Sequence, residues 1–293
     1  MPYAQQCSRC KKLFTLDNKK RFCDNCGSIL QTVYHEEDEP TKYPLDDERQ
    51  KIATYIYEKY EEFRKDFGDL ELDMLKQIKV DTIYDRFEII TLATLFSGYA
   101  MREERAYSIW SAITQYYRDS DTNLYDFLVG NIIPPTQNLR ERFGVPPKVT
   151  SSIWQTARNL IQYNGDLNGL QYDGSWSKTI ENIANQCKGI NQKAFWIARV
   201  MRQKQAWDIP GQYCCVSDSH NKALLMKTGF IKSDTDLFYN SLVMWRFFNE
   251  PFKNKYYDLP ITRYARSSGC KNCFQSNCNL ETLSDCGCAL ACP

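Results

Sequence analysis

A lysine placed just after a tight turn and an aspartate at the start of a later helix supply an amine and a carboxylate, the pair needed to displace a leaving group through a carbon–nitrogen bond. The lysine is Lys193 in Cys187-Lys188-Gly189-Ile190-Asn191-Gln192-Lys193, where one helical run stops and a second starts at once. Such a turn presents unpaired backbone N–H groups at a helix N-terminus, a natural seat for phosphate. The residues that would form that seat are Lys188, Gly189, Ile190, Asn191 and Gln192. A cation in the first turn of a helix opposes the helix dipole, so the pKa of Lys193 is expected to fall, the direction that suits a nucleophile. Asp218, in Val216-Ser217-Asp218-Ser219-His220, reads as an N-cap or first-turn carboxylate. Each residue also has an ordinary reading, a solvated cation and a helix cap, and His220 reads as structural or as a local hydrogen-bond partner.

The cysteines point to a second kind of chemistry. Ten of the 13 lie near the two ends of the chain, and only Cys187, Cys214 and Cys215 fall between. A disulfide-stapled protein would not leave its largest segment nearly bare, and those three read as buried apolar residues. Cys7, Cys10, Cys23 and Cys26 form two CxxC knuckles, the spacing of a tetrahedral zinc site in a ribbon over residues 1–32. At the other end Cys270, Cys273, Cys278 and Cys286 form a second candidate metal set, with Cys288 and Cys292 as rival fourth ligands. That set suits a second metal site, zinc among the candidates.

These groups must be positioned by helices. Residues 33–45 are acidic and polar with two prolines and read as a linker. Beyond them Ile52, Ile56, Tyr60 and Phe63 recur at helical spacing, residues 84–98 form a strongly apolar central helix, and residues 103–118 set Ile109, Trp110, Ile113 and Tyr117 on one face. A helix over 148–163 carries Ile153, Ala157 and Ile161 on one stripe; others follow Ser175, run from about Gln192 to Gln203, pass through Leu224 and Leu225, and span 234–248. The main body, residues 46–266, is expected to be mainly α, followed by a cysteine-rich tail over 267–293. The net charge of +1 gives no overall basic coat, so nucleic-acid contact would work through local patches. No long apolar run or signal-peptide core is present, and a monomeric intracellular protein with no membrane partner is expected.

The two chemical stretches resemble the helix-hairpin-helix DNA glycosylase superfamily, the group that includes 8-oxoguanine glycosylases and endonuclease III-like enzymes. Gly189-Ile190-Asn191-Gln192-Lys193-Ala194 is similar to the hairpin G-V-G-x-K, with Lys193 at the Schiff-base position. Val216-Ser217-Asp218-Ser219-His220 is similar to the later aspartate motif. Phe87–Gly98 and Ser151–Leu160 resemble upstream helices of the family in the same order, and the likeness covers about residues 46–266. Asn191 stands where the second hairpin glycine is usual, Lys188 where proline is, and the Lys-to-Asp connection through Trp207-Asp-Ile-Pro-Gly is long. The resemblance implies a two-subdomain helical fold acting on double-stranded DNA. Lys193 would attack the sugar C1′ and Asp218 would stabilise the developing positive charge, giving base excision with associated strand cleavage. It also implies a four-iron cluster in the C-terminal cysteine loop, although here the tight cysteine pair comes first. An oxidised purine such as 8-oxoguanine is the expected target base. Two other readings stay open: a monofunctional glycosylase for a modified base, and a non-catalytic nucleic-acid-binding protein with a zinc ribbon and a degenerate hairpin.

Overall fold

The computed structural model describes residues 3–7, 13–15, 30–34, 47–97, 101–232, 235–253, 256–269 and 277–285, the three short N-terminal stretches by backbone alone. The chain divides into two compact units, Met1–Asp47 and Glu48–Pro293.

The first unit holds a three-stranded antiparallel sheet with β1 (Tyr3–Cys7) between β2 (Leu13–Thr15) and β3 (Leu30–Tyr34). Gln5 lies opposite Phe14 on one side and Thr32 on the other. β3 runs two residues beyond 32, into the segment that reads as linker. Of the proposed ribbon ligands, Cys7 ends β1, whereas Cys10, Cys23 and Cys26 lie outside the described residues.

The second unit is built of helices, as apolar spacing of three and four residues predicts. The first, α1 (Asp47–Phe67), buries Ile52, Ala53, Ile56, Tyr57 and Tyr60 on one stripe. The short helix α2 (Leu70–Gln77) is capped by Asp69, whose carboxylate accepts the Glu71 N–H at 2.9 Å. At the centre is α3 (Ile83–Ser97), in which every residue from Phe87 to Leu95 is buried. A helix apolar all round needs neighbours on every side, and α3 packs against α4 (Glu103–Arg118) and three later helices. The Trp110 indole of α4 donates to the Glu88 carbonyl of α3 at 2.9 Å.

Two short helices follow, α5 (Leu124–Gly130) and α6 (Thr136–Phe143), the latter stopped by Gly144 at φ 71°. Then come α7 (Pro147–Asn159), α8 (Trp176–Gln186) and α9 (Lys193–Gln203), with α7 and α9 lying on α3. The run from Lys148 to Tyr163 is not one helix: α7 ends at Asn159 and a 3-10 turn covers Ile161–Tyr163. The last elements are α10 (Ser219–Lys227), α11 (Leu237–Phe248), α12 (Leu259–Ser267) and α13 (Leu280–Asp285). The long stretch between α9 and α10 is packed, not loose. Its 3-10 turn Gly211–Tyr213 lies on α11 so closely that a Cβ at Gly211 would meet the Trp245 ring at 2.1 Å. None of the described helices is long and apolar enough to cross a membrane.

Candidate active site

The turn between α8 and α9 is held from behind by α7. Thr156 Oγ1 accepts the Lys188 N–H at 2.8 Å, and Asn159 Nδ2 donates to the Gln186 carbonyl at 2.8 Å. Ile190 is buried and pins the middle of the turn, while Lys188, Gly189 and Asn191 are exposed. Two residues take the left-handed conformation, Gly189 at φ 80° and Asn191 at φ 40°. Asparagine tolerates that region better than other side-chain-bearing residues do.

The consequence is a set of open donors. The Ile190 N–H bonds to Cys187 and the Lys193 N–H to Ile190, at 3.3 and 2.8 Å. Among the described residues, nothing accepts the N–H groups of Gly189, Asn191 or Gln192. Gln192 stands at the N-cap of α9 without capping it through its side chain.

Lys193 begins α9 and turns inward from this turn. Its ammonium lies 5.9 Å from the centroid of the Phe96 ring at the end of α3, and that ring stands edge-on to Trp196 at 5.5 Å. Among the described residues no carboxylate forms an ion pair with Lys193 within 4.0 Å. Burial pushes its pKa below the ordinary lysine value; Asp258, Asp218 and Glu103 pull upward and Arg266 adds to the depression. The downward direction agrees with the sequence argument, but the leading cause is lost hydration, not the helix dipole.

Asp218 is the N-cap of α10. Its Oδ1 accepts the N–H groups of His220 and Asn221, both at 2.9 Å, and its Oδ2 accepts from Arg266 of α12 at 3.2 Å. Burial opposes ionisation, yet the Asn221 N–H, the Arg266 guanidinium and the Lys193 ammonium outweigh it and hold the carboxyl below the usual range. The Nδ1 of His220 is buried and has no partner among the described residues. The structure therefore couples Lys193 to Asp218 electrostatically without letting them neutralise each other at contact distance.

Behind the pair runs a row of charges. Arg263 donates to both oxygens of Asp69 at 2.9 and 3.1 Å and to Glu103 at 2.7 Å. Arg266 donates to the other Glu103 oxygen at 2.5 Å and reaches Asp218. The order Asp69–Arg263–Glu103–Arg266–Asp218 alternates in sign and joins α2, α12, α4 and α10. Every member is at least half withdrawn from solvent, where ion pairs are screened less than at the surface. Arg263, Glu103 and Arg266 carry no local motif, so sequence reasoning passed over their role.

The three central cysteines, Cys187, Cys214 and Cys215, are buried, and burial raises each thiol pKa. Of the C-terminal set, Cys278 is buried and its N–H bonds to the Lys227 carbonyl at 2.7 Å. Cys270, Cys273, Cys286, Cys288 and Cys292 lie outside the described residues. Among the described residues no cluster of three or more His, Cys, Asp or Glu could hold a metal ion. Comparison with known proteins adds no relative: no family model, curated protein or solved structure matches the chain.

Proposed function

We propose that this protein is a base-excision DNA glycosylase with associated lyase activity, acting on double-stranded DNA through Lys193 and Asp218. The observation that carries the reading is the half-buried Lys193, ahead of which three backbone N–H groups have no acceptor among the described residues. A phosphate of the DNA backbone fits those donors, which would set the sugar of the flipped nucleotide beside the amine. The neutral amine attacks C1′, the C1′–N bond breaks, and its electron pair leaves with the base. Ionised Asp218 stabilises the positive charge that develops on the sugar and draws the proton from the attached nitrogen. The C1′–O4′ bond then breaks, O4′ takes up the proton and the opened sugar is left as a Schiff base, which acidifies the C2′ hydrogen; loss of that hydrogen as a proton breaks the C3′–O bond and expels the 3′ phosphate. Zinc on Cys7, Cys10, Cys23 and Cys26, and a four-iron cluster or second zinc ion on the C-terminal cysteines, belong to the same reading. Metal analysis and the visible absorbance spectrum test them.

The decisive experiment is borohydride trapping on duplexes carrying single lesions, 8-oxoguanine first. A covalent adduct is expected with the wild type and none with Lys193→Gln; absence of the first or persistence of the second overturns the reading. Only the neutral amine attacks, and burial lowers the Lys193 pKa, so the trapping rate should rise with pH and level off below 10.5.

A further inference from the structure

Asp258 occupies the N-cap position of α12, yet its side chain makes no cap hydrogen bond. It turns into the protein, where three elements meet on it. Its Oδ1 accepts from Arg199 Nη1 at 2.5 Å and from the Val216 N–H at 3.0 Å, and its Oδ2 accepts from Thr262 Oγ1 at 3.2 Å. Arg199 belongs to α9, the helix that begins with Lys193. Val216 lies two residues before Asp218. Thr262 belongs to α12, which carries Arg266. Asn221, from the first turn of α10, closes the ring by donating to the Val216 carbonyl at 2.8 Å and to Thr262 Oγ1 at 2.9 Å. Arg199 is fixed on its other side by Glu71, which also accepts the Trp196 indole N–H at 2.8 Å.

We propose that Asp258 is the positioning residue of the Lys193–Asp218 pair: one buried carboxylate holds the lysine's helix, the approach to the aspartate and the arginine's helix in register. A carboxylate taken out of water is retained only when several donors satisfy it, and Asp258 has three, each from a segment that carries one member of the pair or its arginine. The charged groups that act on the Lys193 amine are Asp258, Arg266, Asp218 and Glu103, beside the Phe96 ring. Asp258 is the foremost of these, ahead of Asp218, and its negative charge favours the ammonium form. Removing that charge should therefore make the amine lose its proton at lower pH.

The rate readout rests on the glycosylase reading; the amine readout does not. With the full chain, trapping on a duplex containing a single abasic site is followed across pH under single turnover. In parallel, trace acetylation with acetic anhydride, read by mass spectrometry, gives the protonation midpoint of Lys193. In Asp258→Asn both midpoints should move down by about half a pH unit or more, and the plateau rate should fall severalfold. Asp258→Glu, which keeps the charge, should restore the midpoints but not the plateau. Thr262→Val removes one tether and leaves the carboxylate, so it should lower the plateau with the midpoint unmoved; it also decides the matter if Asp258→Asn does not fold. Unmoved midpoints in Asp258→Asn, or a wild-type plateau in Thr262→Val, overturn the proposal. A shifted acetylation midpoint with no adduct in the wild type would sink the glycosylase reading and leave the hold of Asp258 on the amine standing.

Discussion

The N-terminus of α10 is closed by its own sequence, whereas that of α9 is left open. At α10, Asp218 turns a carboxylate back onto two N–H groups, and Arg266 takes the remaining oxygen. At α9, Gln192 supplies no side-chain cap, three nearby N–H groups lack a protein acceptor among the described residues, and the first residue is a lysine. Capping is worth about 0.5–2 kcal/mol, so an unfilled helix start forgoes stability that a single Asp or Ser could supply. The difference suggests a division of labour. One end is finished for rigidity, its carboxylate held by two backbone N–H groups and a guanidinium; under the proposed function the other keeps its donors for phosphate.

The largest expected effect lies at the open end. Lys193→Gln should abolish the covalent adduct while leaving thermal stability unchanged or raised, since it removes the cost of burying an amine; circular dichroism melting and trapping together check this. Next comes the closed end. Asp218→Asn should lower the single-turnover rate by about 10²–10⁴-fold, while Asp218→Ala should add a stability loss of about 1 kcal/mol from the missing cap, read by urea denaturation. Arg266→Ala should give a smaller rate loss than either, with the Asp218 carboxyl titrating nearer its ordinary value, because one of its two strongest opposing partners is gone.

A charge swap inverts the comparison. Gln192→Glu places a carboxylate beside the open donors, so the melting temperature should rise, by an amount equivalent to about 0.3–1 kcal/mol. Duplex binding, measured by fluorescence anisotropy, should weaken severalfold through repulsion of phosphate. Equal signs in the two measurements would show that the α9 end is not a phosphate seat. The smallest effect is expected for Asn191→Gly. Relief of the left-handed backbone at φ 40° and the greater freedom of the unfolded glycine chain should cancel to within about 0.5 kcal/mol.

The helices legible in the sequence were those with a sustained apolar stripe. α1, α3, α4 and α9 follow from periodic Ile, Leu, Phe and Trp, and the α8–α9 turn follows from Gly189 between two such runs. The shorter α2, α5 and α6 have too few turns for a period to show above local composition. Lys193 and Asp218 could be singled out because their local settings, a turn and a cap, are written in adjacent residues. Asp258 could not. The sequence Asp258-Leu259-Pro260 is an ordinary helix-start signal, and what makes the residue unusual is that its carboxylate caps no backbone N–H of the helix it precedes and bonds to residues 42 and 59 positions away. A role of that kind exists only once distant segments have been packed together.

The alternating row from Asp69 to Asp218 has a consequence for how this protein can change over generations. The row holds three carboxylates and two arginines, each arginine shared by two carboxylates, so replacing Arg263 or Arg266 leaves Asp69 or Asp218 without its arginine, whereas replacing a carboxylate leaves two matched pairs. Neutral substitutions of Arg263 and Arg266 are the costly steps, and tolerated drift there should be matched by replacement of the carboxylate left behind. Substitution histories at positions 263 and 69, and at 266 and 218, are thus expected to be correlated, a signature that adjacent residues in the chain would not share.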